Sequence, residues 1–269
     1  MPLIHETTRH SIRTLTLNRP DKRNALNGAL VEALHDALRA DADDTDTRVL
    51  VLTGAGSAFS SGADLEALRR MRTAGPMQNR ADSEQLAELF DALYAHPKPI
   101  IAKVNGHAIA GGCGLASVCD FAVAVESAKL GFTEVRIGFV PAIVMVYVRR
   151  KLGETALRDL MLRGRLIDAA GAARLGLINQ AVPESELDDA VQTLAHDISR
   201  NTSASAVALT KRMLADVPGM GYHEALDHAV QMNAFARATD DCQAGIQAFL
   251  DKTSMPWTDA FDGAPSEEG

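Results

Sequence analysis

Short apolar segments that end at glycine recur along the first half of this chain, and they constrain its fold more than any other feature. Residues 48–54 (RVLVLTG) and 99–106 (PIIAKVNG) are two such segments. An apolar run of this length that stops at glycine is typical of a strand buried on both faces. Helical patterns stand between these strands. The recurrence of strand, glycine turn and helix through residue 140 predicts an α/β fold.

The first helix shows both a start signal and an apolar face. Asn27 precedes a stretch in which Leu30, Leu34 and Leu38 recur every four residues. Asparagine is a favoured N-cap, and this spacing places the three leucines on one side of a helix. The other predicted elements are strands over residues 12–17 and 121–126, and helices from residue 64 to about 75 and over 84–95.

Beyond about residue 184, helical patterns replace the strand patterns. Helices are predicted over residues 184–200, 203–215 and 222–250. The sequence therefore predicts an α/β core over residues 1–195 and a helical region over residues 196–269. The acidic end, residues 259–269 (DAFDGAPSEEG), is expected to be solvated and poorly ordered.

Charge and cysteine usage narrow the class of protein. The formal net charge of −8 argues against nucleic-acid binding, which needs a basic face, but not against a small phosphorylated ligand. The N-terminus lacks a signal-peptide pattern, and no apolar run approaches the roughly 18 residues of a membrane span. Cys113, Cys119 and Cys242 show neither a C-x-x-C pair nor metal-ligand spacing with histidine. We therefore expect a cytoplasmic protein without a metal or membrane.

Two glycine-rich turns, residues 54–64 and 106–114, follow the buried strands. Glycine allows a ligand to approach backbone N–H groups closely, and the first N–H groups of a helix lack internal partners. Two such turns facing each other could stabilise an oxyanion or enolate. The turns could equally serve chain geometry alone. Neither contains a complete G-x-G-x-x-G, a G-x-x-x-x-G-K-[ST] or a G-x-S-x-G motif, which disfavours dinucleotide binding, a P-loop and a nucleophile elbow.

Glu134 is a candidate proton carrier. It stands among apolar residues in LGFTEVRIGFVP, and desolvation there would raise its pKa. The alternative is an exposed glutamate paired with Arg136 or another cation. Asp120, just before a strand, favours a structural role through backbone hydrogen bonds. His107 favours a scaffold role.

Basic residues offer two further interpretations. Lys22 and Arg23 follow the first strand and could form a solvated loop or hold a phosphate. The run at residues 69–72 (RRMR) favours a solvated helix face over phosphate contact.

Six motifs in this order resemble the crotonase family, the enoyl-CoA hydratases and isomerases. They are NRPDKRNALN (18–27), AFSSGADL (58–65), GHAIAGGC (106–113), CDFAVA (119–124), TEVRIGFVP (133–141) and AARLGLINQAV (172–182). The resemblance implies a core of repeated ββα turns wound as a spiral. It also implies a C-terminal helical region that forms homotrimers, which often pair into hexamers. The substrate would be an acyl-CoA thioester, so coenzyme A belongs to the substrate and no separate cofactor is expected.

The resemblance also assigns residues. The backbone N–H groups of Ala63 and Gly111 would form an oxyanion hole for the thioester oxygen. Coenzyme A would lie along Ser61, Asp64 and Leu65, with Lys22, Arg23 and Ala25 near its nucleotide. Hydratases of the best-known type use two glutamates. Glu134 matches the second of them, and Gly114 stands in the place of the first.

This departure leaves several reactions open. Single-glutamate members isomerise 3-enoyl to 2-enoyl thioesters, whereas the surrounding sequence looks like a branch of methylglutaconyl-CoA hydratase type. Residues 143–146 (IVMV) replace the small residues usual there, which is expected to reshape the acyl pocket. We expect hydration of a 2-enoyl-CoA, with Gly114→Glu raising hydration of simple substrates. The alternatives are isomerisation, a non-catalytic acyl-CoA binder, thioester hydrolysis and decarboxylation.

Overall fold

The structure is a computed structural model that describes residues 1–258, and the predicted solvated tail at 259–269 lies outside the described residues. The strands are β1 (Ile4–Arg9), β2 (Ile12–Leu17), β3 (Val49–Gly54), β4 (Ala58–Ser60), β5 (Ile100–Val104), β6 (His107–Ile109), β7 (Phe121–Val125), β8 (Lys129–Gly131), β9 (Ile167–Asp168) and β10 (Gln180–Val182). The helices are α1 (Gly28–Ala42), α2 (Leu65–Met71), α3 (Pro76–Tyr94), α4 (Gly111–Val118), α5 (Ala142–Val148), α6 (Glu154–Arg163), α7 (Ala169–Leu175), α8 (Leu187–Asn201), α9 (Ala204–Asp216), α10 (Tyr222–Arg237) and α11 (Asp240–Asp251).

The strands form two sheets. One has the order β1-β2-β3-β5-β7-β10, and the other has the order β4-β6-β8-β9. From β2 to β10 the first sheet is parallel, and only β1 pairs antiparallel to its neighbour. In the second sheet β8 and β9 pair antiparallel. The α/β fold class predicted from the sequence is confirmed.

The chain winds through both sheets in a repeated order. It passes from β3 to β4, from β5 to β6 and from β7 to β8, each time leaving the first sheet for the second and then entering helix. Each repeated unit therefore consists of a strand in the first sheet, a strand in the second sheet and a helical segment. Helix α4 contacts strands of both sheets, so the polypeptide near its start lies at the centre of the molecule.

Apolar burial explains the strands that the sequence predicted well. All six residues of β3 are buried, and β5 and β7 are almost as apolar. The Asn27 side chain accepts a hydrogen bond of 3.0 Å from the Leu30 amide, as expected of the cap of α1. Leu30, Leu34 and Leu38 are all buried in the core.

Four expectations about local structure were wrong or incomplete. Helix α3 begins at Pro76 rather than near residue 84, since proline is well tolerated in the first turn of a helix. The predicted helix over 222–250 is two helices, because Thr239 caps α11 by accepting from the Cys242 amide. Each glycine-rich turn contains a three-residue strand, β4 or β6. Strand β1 was also missed, because its outer positions are exposed and carry no apolar pattern.

One buried ion pair fastens α9 to the core. Lys211 donates from Nζ to the Asp120 carboxylate at 2.5 Å and to the Lys98 carbonyl at 2.9 Å. The same Asp120 oxygen accepts from the Ile100 amide at 2.7 Å. The structural role predicted for Asp120 is therefore confirmed. Among the described residues, no helix is long and apolar enough to cross a membrane.

Candidate active site

The loop after β4 is held in one conformation by its contacts with neighbouring loops. Gly62 has a φ of +82°, and a Cβ added there would lie 2.7 Å from the Ile109 carbonyl and 3.3 Å from the Gly111 amide nitrogen. Only glycine fits at this position. The residue immediately before Ala63 therefore abuts the start of α4.

Ala63 itself is bracketed by two hydrogen bonds to a single residue. The Leu26 amide donates to the Gly62 carbonyl at 2.7 Å, and the Asp64 amide donates to the Leu26 carbonyl at 2.9 Å. The Ala63 N–H donates to no atom within residues 1–258. It is thus a fixed donor that remains available to a ligand.

Helix α4 supplies a second free donor. Ala110, just before the helix, has a φ of +51°, and the first intrahelical bond runs from the Gly114 amide to the Ala110 carbonyl. The Gly111 N–H lies in the first turn of the helix and has no acceptor in the described part of the chain. A partial positive charge at the start of a helix adds to the attraction for an anion.

Glu134 begins a short 3-10 helix, Glu134–Ile137. Its Oε2 atom is buried and has no hydrogen-bond partner among the described residues. Burial raises the pKa of Glu134, and a backbone interaction at the same residue opposes this only in part. Glu134 forms no ion pair with Arg136 or another described cation. The desolvated alternative therefore describes this carboxylate correctly.

These three groups meet at one cavity of about 740 Å³. Ala63, Gly111 and Glu134 line it together with residues of α2, α3 and the segment 137–144. The wall is mostly apolar, and its polar side chains besides Glu134 come from the segment 72–83, namely Arg72, Asn79, Asp82 and Ser83. Two free N–H donors and one unpartnered carboxylate facing an apolar space can stabilise developing negative charge and move a proton.

Gly114 does not leave an open space in the wall. A Cβ added at Gly114 would lie 2.8 Å from Cγ2 of Val144 and 2.9 Å from two ring carbons of Phe90. Such distances are well below normal carbon–carbon contact. Phe90 and Val144 both line the cavity and are almost fully buried. Hydrocarbon therefore fills the position to which the resemblance assigned the first of two glutamates.

The residues expected to hold coenzyme A do not line the cavity. Lys22, Arg23 and Leu65 are exposed, and neither cation forms an ion pair within residues 1–258. Ala25 is buried, and the Ser61 amide donates to the Arg23 carbonyl at 3.0 Å.

Asp64 is already occupied by protein groups. It accepts from the Glu66 amide at 2.8 Å, caps α2 and pairs with Arg19 at 2.8 Å. Burial alone would raise the pKa of Asp64, but the hydrogen bonds from Arg19 and the helix amides outweigh burial and lower it.

Of the other residues singled out in the sequence, His107 does not line the cavity, whereas Arg72 does. His107 is exposed, and its Nδ1 accepts from the Lys129 amide at 3.1 Å. Arg72, assigned to a solvated helix face, lines the cavity. Phe90 was missed, because nothing in an amphipathic helix distinguishes a cavity-lining phenylalanine from a core one. No group of three potential metal ligands occurs in the described chain.

Comparison with known proteins decides the family. A sequence model described as "Enoyl-CoA hydratase/isomerase" matches residues 7–260. The chain belongs to the enoyl-CoA hydratase/isomerase family. A Thermus thermophilus relative named "Putative enoyl-CoA hydratase" is 43% identical over 241 residues, 90% of this chain and 95% of the relative.

Two further members of the enoyl-CoA hydratase/isomerase family extend the comparison. The 2,3-dehydroadipyl-CoA hydratase of Escherichia coli is 34% identical over 239 residues, 88% of this chain and 91% of that protein. A crystal structure of an enoyl-CoA hydratase from Shewanella pealeana superposes with a TM-score of 0.89 at 32% identity, covering 95% of this chain and 96% of that one. These matches confirm the crotonase-type α/β fold with its C-terminal helical region, and the protein is an enzyme of this family.

Proposed function

We propose that this enzyme hydrates a 2-enoyl-CoA thioester, with Glu134 as the single carboxylate that moves protons. The observation that carries the proposal is the unpartnered, buried Oε2 of Glu134, which faces the same cavity as the free N–H groups of Ala63 and Gly111. A buried carboxylate with a raised pKa is suited to accept a proton and return it.

The thioester carbonyl would lie between the two free amides. Its oxygen becomes negatively charged when the acyl group is converted to an enolate, so donors fixed beforehand lower the barrier. The acyl chain would extend into the apolar part of the cavity. Coenzyme A would leave along the rim past Ser61 and Leu65, with its phosphates near Lys22 and Arg23. No separate cofactor is needed, because the thioester supplies the activated carbonyl.

One carboxylate suffices for a balanced hydration. Glu134 takes a proton from water as the water oxygen bonds to C3. The C2–C3 π electrons form a double bond between C1 and C2, and the carbonyl π electrons move to the thioester oxygen. The enolate then collapses and C2 receives the proton from Glu134. The product is a 3-hydroxyacyl-CoA, and the carboxylate is regenerated. The relatives named above as hydratases support this reaction.

Isomerisation is the second candidate, favoured by the hydrocarbon at Gly114. Phe90 and Val144 fill the place of a second acid, and an apolar wall orders water poorly. In this reaction Glu134 removes a proton from C2 of a 3-enoyl-CoA and returns it to C4. The double bond moves from C3 to C2, and the same amides hold the dienolate.

The acyl group is proposed to be branched or extended, as in the methylglutaconyl-CoA type. Ile143 and Val144, larger than the residues usual there, line the cavity and reshape it near the reaction centre. The polar lining residues Arg72 and Asn79 suit an acyl chain that ends in a polar group. The name of the Escherichia coli relative, which refers to a dicarboxylic acyl group, is consistent with this.

We also propose a homotrimer or homohexamer in the cytoplasm. Apolar side chains of α10 and α11 are exposed in the single chain, among them Val230, Phe235 and Phe249. An apolar surface of this kind is typical of an oligomer interface. The three cysteines are free thiols, as in a reducing compartment.

The deciding experiment is a side-by-side assay of crotonyl-CoA and 3-hexenoyl-CoA. Hydration of crotonyl-CoA faster than conversion of 3-hexenoyl-CoA supports the main proposal, and the reverse supports isomerisation. The panel also includes branched and dicarboxylic enoyl-CoA esters, with free coenzyme A and carbon dioxide measured as products. Binding without turnover of any ester would identify an acyl-CoA binder, and release of either product would identify hydrolysis or decarboxylation.

A further inference from the structure

The loop at residues 19–26 is joined to the loop at residues 60–64 by hydrogen bonds along its whole length. The Ser60 hydroxyl donates to the Asn24 carbonyl at 2.8 Å, and the Ser61 amide donates to the Arg23 carbonyl at 3.0 Å. Leu26 bonds on both sides of Ala63, as described above. The first loop carries the two free cations, and the second carries the Ala63 donor. A shift of either loop therefore moves the other.

Arg19 closes this connection with its guanidinium. It donates to the Ala25 carbonyl and, at 2.8 Å, to the Asp64 carboxylate. Its backbone amide also donates to the Asn24 side chain at 2.9 Å. The pair is largely buried, with 15% of the Arg19 side chain and 7% of the Asp64 side chain exposed. Because the pair is shielded from water, removal of Arg19 would leave a carboxylate without its cation in a largely buried place.

The positions on either side of Ala63 leave little freedom. A side chain at Gly62 would collide with the Ile109 carbonyl, and Asp64 is held by Arg19 and by the first turn of α2. A change in the distance between Arg19 and Asp64 would therefore change the direction of the Ala63 N–H. A displacement of about 1 Å in a catalytic group can cost about 100-fold in rate.

We propose that Arg19 is a positioning residue that couples binding of the coenzyme A nucleotide to the orientation of the Ala63 amide. Phosphates at Lys22 and Arg23 hold the first loop in place, and the Arg19–Asp64 pair transmits that position to the second loop. Binding energy from a remote part of the substrate then improves the stabilisation of the enolate. This inference rests on the proposed function, since it assigns the nucleotide to the rim and the thioester to Ala63.

The test compares the same enoyl group on coenzyme A and on pantetheine, which lacks the nucleotide. In the unchanged enzyme we expect a higher kcat with the coenzyme A thioester. In Arg19→Met the ratio of the two kcat values falls by about 10-fold, because the nucleotide no longer improves the oxyanion site. Arg19→Lys, which retains the charge with one donor group, gives an intermediate ratio. A kcat ratio near one in the unchanged enzyme, or equal ratios in all three proteins, overturns the inference.

Arg13→Met is the matched control for lost stability. Arg13 is also a partly buried arginine, 20% exposed, and pairs with Asp41 and Asp44 on another part of the molecule. It contacts neither loop. We expect it to lower the free energy of unfolding and to leave the kcat ratio of the two thioesters unchanged. A fall in the ratio equal to that of Arg19→Met would mean that general destabilisation causes the effect.

A second measurement does not depend on turnover. Adenosine 3′,5′-bisphosphate, the nucleotide end of coenzyme A, is added and hydrogen exchange of the Leu26 and Asp64 amides is followed. We expect slower exchange in the unchanged protein, because these amides form the bridge around Ala63, and no slowing in Arg19→Met. Equal slowing in both proteins, or none in either, overturns the coupling. Slowing together with no turnover of any enoyl-CoA would refute the proposed reaction and leave the coupling in place.

Discussion

One carboxylate oxygen of the half-buried Glu134 combines two properties that usually exclude each other, burial and the absence of a hydrogen-bond partner. Its Oε2 atom lies in the protein without a hydrogen bond among the described residues, and burial raises the pKa of this carboxyl group. A buried group of this kind lowers the stability of the fold, which is a common property of active-site residues. The proposed reaction explains why such a residue is retained, since a carboxylate bound by a cation could not exchange protons as readily.

Glu134→Gln is expected to reduce kcat by about 10²- to 10⁴-fold while acyl-CoA binding persists, because the amide cannot carry the proton. Steady-state kinetics and titration with the saturated acyl-CoA measure the two effects. Glu126→Gln, at an exposed glutamate, is the control and retains activity. Near-normal turnover in Glu134→Gln would refute the assignment of Glu134.

The same substitution is expected to stabilise the protein at neutral pH. The raised pKa means that the folded state binds the Glu134 proton more tightly than the unfolded state does. The contribution of Glu134 to stability is therefore greatest at low pH and is lost as the pH rises from roughly 4 through the raised value. Denaturant unfolding at two pH values measures this. The free energy of unfolding of Glu134→Gln should exceed that of the unchanged protein at pH 7 and equal it near pH 3.

The raised pKa of Glu134 also determines how kcat/KM should change at acid pH. The carboxylate must be ionised to accept a proton, so kcat/KM should rise with pH through the raised pKa of Glu134. The midpoint is expected above roughly 4.3, the value of an unperturbed glutamate. A midpoint at or below that value would contradict a desolvated base at this position.

Gly114→Glu is expected to destabilise the protein rather than to restore a two-glutamate site. The new side chain would meet Phe90 and Val144 at less than 3 Å, and overpacking of this kind costs about 1–3 kcal/mol. This revises the expectation drawn from the sequence. Combined with Phe90→Ala and Val144→Ala, the glutamate has room. The free energy of unfolding of the triple variant should therefore be higher than the summed changes of the three single variants predict. The triple variant should also hydrate crotonyl-CoA faster than Gly114→Glu does. If the changes in the free energy of unfolding simply add, the introduced glutamate does not contact Phe90 and Val144.

At the scale of elements, the site depends on the close approach of helix α4 to the second sheet at glycine. Gly112 is one such place, where a Cβ would lie 2.3 Å from the Ser60 carbonyl. This contact brings the start of α4 against the end of β4. The free amides of Ala63, after β4, and of Gly111, at the start of α4, therefore line the same cavity.

The Lys211–Asp120 pair is expected to hold α9 on the core. Lys211→Met leaves a largely buried carboxylate without its cation, so the free energy of unfolding should fall by about 2 kcal/mol. Lys103→Met is the matched control, because its partner Asp188 is 78% exposed and the loss should stay below about 1 kcal/mol. Urea unfolding measures both. Equal effects would show that the buried pair adds nothing to the packing of α9.

At the scale of the whole molecule, the exposed apolar side chains of α10 and α11 form the basis of the oligomer proposal. The Phe235 side chain is 61% exposed and that of Phe249 is 73% exposed. A single chain gains nothing from presenting these groups to water. An association that covers them would add stability beyond that of the isolated chain.

Sedimentation tests this proposal directly. The unchanged protein should sediment as three or six copies of the 28.7 kDa chain. Val230→Glu combined with Phe235→Glu should yield smaller species, because two charges would be buried in the interface. Leu162→Glu, at an exposed leucine of α6, is the control and should leave the assembly unchanged. An unchanged protein that sediments as a single chain would refute the oligomer.

The sequence by itself determined the α/β alternation, the capped start of α1, the family and the candidates Ala63, Gly111 and Glu134. Local signals are sufficient for these, because β3 is buried throughout and Asn27 caps a helix whose leucines recur every four residues. Short strands such as β4 and β6 escaped prediction, since three residues within a glycine-rich segment carry no periodicity.

Only the tertiary structure decided what surrounds those candidates. Phe90 and Val144 meet Gly114 from different helices, and Arg19 meets Asp64 across 45 positions of sequence. The pKa of Glu134 likewise depends on the absence of a hydrogen-bond partner for its buried Oε2 among the described residues. Contacts between distant segments follow from packing, and packing is a property of the whole fold. The residue types that carry the chemistry could thus be identified from the sequence. Their neighbours, and therefore the available reaction, depended on how distant segments of the chain pack together.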